Sequence, residues 1–304
     1  MVRSSKSQMK FDRRFECEYG QIAEVSPLIR RIVANNPGPY TFKGTGTYII
    51  GRGEVAVIDP GPDDKSHVEA LLSSLKGEQI THQIVTHTHL DHSPATRYVA
   101  EQTGAKTYAF GPHGLGKIAT EFKVEAGGDM DFKPDFTVKD GEIITGNGWS
   151  IECVHTPGHT SNHLCLSLIE EEALFTGDHV MGWSTTVIAP PDGDMSDYIL
   201  SLKKLLIRKD KIYYPTHGGA ILEPQKYVRA IIIHRKLREN QILDCISKEI
   251  NNIPDMVSRM YEGLDQRLIK AAQHSILSHM IDLVNRDIIH ANGSVNIDAE
   301  YEKL

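Results

Sequence analysis

Short apolar runs rich in β-branched residues alternate with turn residues from about position 26 to position 214. Their lengths predict ten strands, at residues 28–33, 45–50, 55–58, 82–86, 106–110, 143–144, 150–154, 164–168, 174–176 and 211–214. Helical spacing predicts three helices between them, at 64–76, 94–103 and 195–207. Ser93 before Pro94 is a typical helix start, and Gly104 is a typical helix end.

The pattern changes after residue 223, where helical spacing takes over. It predicts helices at 225–249, 254–261 and 265–284, followed by strands at 287–290 and 294–297 around the turn Asn292-Gly293. Three helices and a hairpin are the outline of a winged-helix module. We therefore predict an N-terminal extension (1–24), a mixed α/β domain (25–223) and a winged-helix-like C-terminal domain (224–304).

Charge and composition narrow the classes of function. The chain has 40 acidic and 33 basic residues, a formal charge of -7, which argues against a protein that coats nucleic acid. Residues 226–304 hold 11 Lys/Arg and 11 Asp/Glu, so we expect this module to serve packing or dimerisation, and a homodimer stays open. The polar N-terminus and the lack of long apolar runs predict a cytoplasmic protein without membrane contact.

Residues 86–92 read Thr-His-Thr-His-Leu-Asp-His, directly after one predicted strand and before one predicted helix. Four potential metal ligands within six residues are rare by chance. Imidazoles two residues apart on an extended segment point to the same side, so His87 and His89 can share one metal ion. Asp91 and His92, past the bend, can reach a second ion. The loop is therefore our primary candidate for chemistry.

Three further polar residues follow predicted strands. His159 stands in Thr-Pro-Gly-His-Thr, Asp178 in Phe-Thr-Gly-Asp and His217 in Tyr-Pro-Thr-His-Gly-Gly. Loops beyond the carboxyl ends of strands are where α/β sheets gather their sites. These residues therefore complete two sets of nitrogen and oxygen donors. Such sets suit two divalent ions, with Zn²⁺ preferred and Mn²⁺ or Fe²⁺ as alternatives.

With these motifs the sequence resembles the metallo-β-lactamase superfamily, whose signature is HxHxDH followed by a His, a bridging Asp and a final His. The resemblance implies an αββα sandwich and assigns His87, His89 and His159 to one metal ion. It assigns Asp91, His92 and His217 to the other ion, and Asp178 as the carboxylate that bridges both. Asp59, in Ile-Asp-Pro-Gly, resembles the family's buried acid that supports the ligand loop rather than binding metal.

Within the superfamily, residues 36–50 (NPGPYTFKGTGTYII) and 185–187 (TTV) resemble the β-lactamase-like protein 2 group, which carries a winged-helix tail. The resemblance implies a metal-bridging hydroxide as nucleophile, with Asp91 and Asp178 as catalytic residues, and single-stranded RNA as substrate. Thioester hydrolysis of the glyoxalase II type uses the same ligands and is the alternative enzyme. A non-catalytic metal-bound binding protein is the alternative outside enzymes.

The resemblance also predicts a poor β-lactamase, because true lactamases lack an Asp at the place of Asp178. His155 and His163 flank His159, and we expect structural roles for both rather than metal ligation. Trp183 is expected to pack in the fold rather than to stack on a base. Residues 111–117 have the spacing GxxxxGK, but Ile118 lacks the hydroxyl that a P-loop needs, so no nucleotide site is expected.

Overall fold

The computed structural model describes residues 9–114 and 127–304. Residues 1–8 of the predicted N-terminal extension lie outside the described residues, as does the end of the stretch 111–117. Within the described ranges the protein contains two large sheets, six α-helices and a small C-terminal two-stranded sheet.

The first sheet has seven strands in chain order. They are β1 (Ala23–Glu24), β2 (Ile29–Val33), β3 (Gly46–Ile50), β4 (Glu54–Ile58), β5 (Gln79–Ile84), β6 (Lys106–Ala109) and β7 (Phe136–Thr137). The pairs from β1 to β4 are antiparallel, and those from β4 to β7 are parallel. The carboxyl ends of β4 and β5 therefore meet at one edge.

The second sheet has five strands in the order β12-β11-β10-β9-β8. They are β8 (Ile143–Gly146), β9 (Trp149–His155), β10 (Leu164–Leu168), β11 (Ala173–Gly177) and β12 (Ile212–Pro215). Since β10 is antiparallel to both neighbours and β11 pairs with β12 in parallel, strands β9, β11 and β12 end at the same edge.

Alternation along the strands divides the apolar residues between two faces of each sheet. In β3, Tyr48 and Ile50 pack against the second sheet, through Trp149 and Phe175 among others. Ile49, between them, lies on the opposite face of the sheet and packs in a second buried cluster. Strands with both faces buried read as nearly continuous apolar runs, which explains the sequence IIGRGEVAVI at 49–58.

Helices cover the outer faces and complete four layers. Helices α1 (Lys65–Ser74) and α2 (Thr96–Thr103) pack on the first sheet, and α3 (Met195–Leu206) and α4 (Pro224–Ile246) pack on the second. Asp64 caps α1 through its side chain, and Asp194 caps α3. The predicted αββα architecture is confirmed.

The start of α2 differs from the sequence prediction. The sequence predicts Ser93 as its N-cap, but α2 begins at Thr96, two residues later than the predicted Pro94, and has no side-chain cap. The hydroxyl of Ser93 instead donates to Asp129 Oδ2 at 2.6 Å. A tertiary partner thus outcompetes the local capping bond. Gly104 ends the helix as predicted, with φ of 72° and its N–H donating to the carbonyl of Ala100.

The C-terminal module consists of the end of α4, then α5 (Ile253–Met260), α6 (Ile269–Asn285) and the strands β13 (Ile289–Ala291) and β14 (Tyr301–Lys303). The strand predicted at 294–297 is wrong, because β13 pairs with residues 301–303 instead. Tyr301 is fully buried and donates its hydroxyl to the carbonyl of Asn296, so residues 292–300 form a folded connection rather than a tight hairpin.

Helix α4 joins the two parts of the protein. Val228 and Ile231 pack with α3 on the second sheet, whereas Ile242 and Cys245 pack with α5 and α6. The domain boundary between residues 223 and 224 therefore stays a prediction. None of the helices within 9–114 and 127–304 is both long and apolar enough to cross a membrane.

Candidate metal centre

Asp59 holds the base of the loop that carries the histidine-rich motif. It follows β4, is fully buried and adopts a left-handed backbone with φ of 48°. Its carboxylate accepts the N–H and the hydroxyl of Thr86, both at 2.8 Å, and lies 2.9 Å from His92 Nδ1. The hydroxyl of Thr216, directly after β12, donates to the same carboxylate at 3.1 Å. One buried acid thus joins loops from both sheets.

Three imidazole nitrogens converge on one point, and we call His87, His89 and His159 the histidine group. Nδ1 of His89 lies 3.0 Å from Nε2 of His87 and 3.1 Å from Nε2 of His159. A tetrahedral site with metal–nitrogen bonds of about 2.0–2.1 Å sets neighbouring donors about 3.3 Å apart. The spacing therefore suits a single small cation.

Asp91, His92 and His217 form a second cluster, which we call the mixed group. Oδ2 of Asp91 lies 3.4 Å from Nε2 of His92 and 3.2 Å from Nε2 of His217. One carboxylate and two imidazoles are donors that Zn²⁺, Mn²⁺ and Fe²⁺ accept. This cluster can hold a second cation.

Asp178 lies between the two groups. Its Oδ1 is 3.3 Å from Nε2 of His217, and its Oδ2 is 3.8 Å from Nε2 of His159 and 3.7 Å from Nε2 of His92. Oδ1 therefore faces the mixed group, and Oδ2 lies near one imidazole of each group, so this carboxylate is within reach of both.

The outer nitrogens of three donor imidazoles have backbone or hydroxyl partners. Nδ1 of His159 lies 2.7 Å from the carbonyl of Val187, and Nδ1 of His217 lies 3.1 Å from the carbonyl of Gly44. Nδ1 of His87 lies 3.1 Å from the Thr86 hydroxyl. Such contacts fix the tautomer and leave the inner nitrogen as the donor atom.

Electrostatics distinguishes the two groups. Burial, followed by the neighbouring His92 and His89, holds the pKa of His87 well below its usual range. Burial also opposes a charge on His217, but Asp178 and Asp91 outweigh it and raise the pKa of His217 to about 10. The pKa of His92 is raised in the same sense, by Asp91, Asp59 and Asp178 against the effect of burial.

Among the described residues, two buried atoms of the site have no hydrogen-bond partner of normal geometry. They are Nε2 of His92 and Oδ1 of Asp178, which lie in one further set of possible metal ligands together with His87. A buried polar atom without a partner costs about 1–3 kcal/mol, so a pair of them at one point needs an explanation. A cation held by the mixed group would lie close to both atoms, and the donor set therefore fits a divalent metal ion at this position.

The structure brings all seven predicted ligands together and keeps the two flanking histidines out of the clusters. His155 stacks on Phe110 with ring centroids 3.6 Å apart. Nε2 of His163 accepts the N–H of Asp178 at 3.3 Å, so this histidine supports the backbone of a donor. Trp183 stacks on Phe42 at 4.9 Å, in agreement with its expected packing role.

Sequence reasoning missed a support beneath Asp91. The hydroxyl of Thr45 donates to Asp91 Oδ2 at 3.0 Å and itself accepts from the side-chain amide of Asn36, also at 3.0 Å. Both residues lie in the stretch 36–50 that carries the family resemblance, but nothing in their spacing indicates a contact with a loop 46 residues away. The sequence offered only the resemblance as a signal.

Comparison with known families agrees with this geometry. The model of the metallo-beta-lactamase superfamily matches residues 41–217, more than half of the chain. The chain belongs to the metallo-β-lactamase superfamily. A second model, the beta-lactamase associated winged helix domain, matches residues 253–297. The predicted fold class, a metallo-β-lactamase sandwich with a C-terminal winged-helix domain, is confirmed.

Individual relatives carry two kinds of name. The beta-lactamase-like protein 2 homolog of Caenorhabditis elegans is 31% identical over 79% of this chain and 78% of that protein. The atrochrysone carboxyl ACP thioesterase of Aspergillus fumigatus is 34% identical over 73% of this chain and 66% of its own length, just under two thirds. The chain is accordingly a hydrolase of this superfamily.

A solved structure extends the likeness to the whole fold. The beta-lactamase domain protein from Burkholderia ambifaria superposes with a TM-score of 0.79 and covers 96% of each chain. The two sequences are 17% identical, so the likeness concerns the fold alone.

Proposed function

We propose that this chain is a binuclear metal-dependent hydrolase that cleaves thioesters. The observation that carries the metal requirement is the position of Asp178, with one oxygen toward His217 and the other toward His159 and His92. All seven predicted ligands take part in the two clusters or, as Asp178 does, connect them. The ligand assignment made from the sequence is thus the one the geometry favours.

Two divalent ions held there would lower the pKa of a shared water from 15.7 toward about 7 and supply a nucleophile at neutral pH. Asp91 has the most exposed of the side chains in the mixed group, at 25%, and neighbouring His92 and His217 hold its pKa well below the usual range despite burial. Asp91 is therefore an ionised carboxylate at the more exposed side of the mixed group, suited to bind a cation rather than a proton.

The chemistry of the leaving group favours a thioester. A thiolate, with a thiol pKa near 8.5, departs without being protonated, whereas the alkoxide released from RNA needs a proton donor. The outer nitrogens of His87, His92, His159 and His217 are all engaged by neighbouring groups. These imidazoles are therefore fixed as metal ligands rather than placed to protonate a leaving group. Thioester hydrolysis does not require such a proton donor.

The rim of the site supplies apolar surface for an acyl group. Leu90 lies inside the ligand loop and is 48% exposed, and Met130 is 45% exposed. The two segments that carry them are hydrogen-bonded to each other, since the N–H of Leu90 donates to the carbonyl of Gly127 and the N–H of Asp129 donates to that of Thr88. The relative from Aspergillus fumigatus, a thioesterase by name, supports the same substrate class.

Single-stranded RNA is the second candidate substrate. It rests on the resemblance to the β-lactamase-like protein 2 group, to which the relative from Caenorhabditis elegans belongs by name. The net charge of -7 works against a polyanionic substrate. We therefore rank RNA below thioesters.

The deciding experiment offers both substrates to one preparation. Protein loaded with Zn²⁺ or Mn²⁺ is incubated with S-lactoylglutathione, with an acyl thioester of N-acetylcysteamine, and with a labelled single-stranded RNA. We expect thioester turnover above about 1 s⁻¹ and intact RNA. Internal cleavage of the RNA beside intact thioesters would reverse the ranking. An Asp178→Asn preparation identifies any contaminating activity.

A further inference from the structure

Arg31, in β2, reaches from the first sheet into the loop that carries His217. Its Nη1 donates to the carbonyl of Gly218 and its Nη2 to the carbonyl of Thr216, both at 2.7 Å. These two carbonyls belong to the residues on either side of His217. One guanidinium therefore spans the backbone around a single predicted ligand.

The guanidinium lies in a slot that fits its shape. The rings of Phe15 and Tyr48 approach it at 4.6 Å and 5.0 Å, and the Tyr48 hydroxyl donates to the carbonyl of Pro215 at 2.7 Å. A Cβ on Gly46 would come within 2.2 Å of Arg31 Nε, so this position leaves no room for a side chain. The slot holds the planar cation in one orientation.

The contacts of Arg31 are unusual for a buried cation. Its residue exposure is 6%, and its partners in the described part of the chain are carbonyl oxygens and aromatic rings. The adjacent Arg30 is equally buried, at 5%, but pairs with the carboxylate of Glu78. Burial of a cation is costly. For Arg31, the contacts that offset this cost are the hydrogen bonds to the carbonyls of the His217 loop and the contacts with the rings of Phe15 and Tyr48.

We propose that Arg31 is a positioning residue for His217 and thereby sets the metal affinity of the mixed group. This inference rests on the proposed binuclear site. Arg31 acts on the loop backbone, while the carbonyl of Gly44 orients the imidazole through Nδ1. Together they hold Nε2 of His217 within 3.3 Å of Asp178 Oδ1 and 3.2 Å of Asp91 Oδ2.

The test compares Arg31→Lys with the matched variant Arg30→Lys. Lysine keeps the positive charge but replaces the rigid two-pronged donor by a single ammonium, which cannot hold both carbonyls in the same geometry. Each metal-free variant is titrated with Zn²⁺ against a chelating dye, and its thermal unfolding is followed with and without metal. Neither readout depends on turnover.

We expect Arg31→Lys to weaken one of the two binding steps, that of the mixed group, about 10- to 100-fold, the range seen when partners of metal ligands are removed, and to leave the other step unchanged. Arg30→Lys should bind both ions as the wild type does, even if its metal-free form melts earlier. Unchanged affinity in Arg31→Lys, or equal weakening in both variants, overturns the proposal.

Two further outcomes are separated by design. If the wild type itself binds fewer than two ions, the proposed binuclear function fails, independently of Arg31. If Arg31→Lys does not fold, Phe15→Ala replaces it, because this change removes only the ring that shields the guanidinium from solvent. Phe15→Ala should weaken the binding step of the mixed group by a smaller factor, and two unchanged binding steps would contradict the role of Arg31.

Discussion

The histidine group and the mixed group sit side by side but prepare a cation site in different ways. The first consists of imidazoles only, and the lowered pKa of His87 keeps its imidazole ring neutral. The second mixes Asp91 with two histidines whose pKa values are raised, that of His217 to about 10. The first is therefore ready to bind metal at neutral pH, whereas the second must release protons first.

The supports of the two groups differ as well. In the histidine group, the outer nitrogen of His159 is oriented by the carbonyl of Val187, on the segment that follows Asp178. The mixed group has additional supports in Gly44, Thr45 and Arg31, which lie in the first sheet or the loop next to it. Asp59 supports both groups, because it contacts His92 directly and His87 through Thr86.

Removal of Asp178 should affect both groups, because its carboxylate lies close to ligands of each. Asp178→Ala should reduce metal content at both positions and lower turnover by more than about 100-fold, the upper range for a mere supporting residue. Elemental analysis and steady-state kinetics measure the two effects. Asp63→Ala, at an exposed acid paired with Arg97, is the control and should retain wild-type metal content. Full metal retention in Asp178→Ala would refute its bridging role.

Single-ligand variants separate the groups. His159→Ala should lose the ion of the histidine group, and His217→Ala should lose the ion of the mixed group, so each protein retains about one ion. Metal titration monitored by calorimetry distinguishes them, because the remaining site in His159→Ala should release more protons on binding. Identical proton release in both variants would contradict the assignment of the pKa shifts.

Substitution of the shared support sharpens the comparison. Asp59→Asn replaces a carboxylate that accepts from Thr86 and Thr216 and lies beside His92 by a group with fewer acceptor sites. We expect the affinity of the mixed group to fall about 10- to 100-fold, and that of the histidine group to fall less. Competition with a chelating dye gives both constants. A larger loss from the histidine group would mean that Asp59 acts mainly through Thr86.

Acidity should affect the groups unequally. Because the pKa of His217 in the metal-free site is raised to about 10, this residue is protonated at pH 7, and metal must displace its proton. Affinity for that position should then fall by about tenfold for each unit that the pH is lowered, for each displaced proton. Metal titrations at pH 8 and pH 6 test this. Equal pH dependence of the two binding steps would argue against the difference.

Much of the site could be predicted because its candidate ligands lie in short sequence motifs. The motif at 86–92 and the strand-end residues His159, Asp178 and His217 needed only local spacing and family resemblance. The contribution of Arg31 could not be predicted, since its partners lie 185 and 187 residues away and are backbone carbonyls. Sequence patterns carry no information about which carbonyl a distant side chain will meet.

The errors in the fold have the same origin. The sequence around Ser93 is typical of a helix N-cap, yet its hydroxyl donates to the carboxylate of Asp129 instead. Asn292-Gly293 has the sequence of a tight hairpin, yet burial of Tyr301 moves the second strand to 301–303. In both places a tertiary contact overrides a correct local preference. Strand positions with both faces buried were predicted well, because there local and tertiary preferences agree.

The most direct test of the account is the location of bound metal. Crystals of the protein grown with Zn²⁺, with diffraction data collected on both sides of the zinc absorption edge, should give two anomalous peaks. We predict them about 3.5–4 Å apart, with one coordinated by the histidine group, the other by the mixed group, and Asp178 touching both. A single peak, or a pair that does not share Asp178, would contradict the binuclear centre.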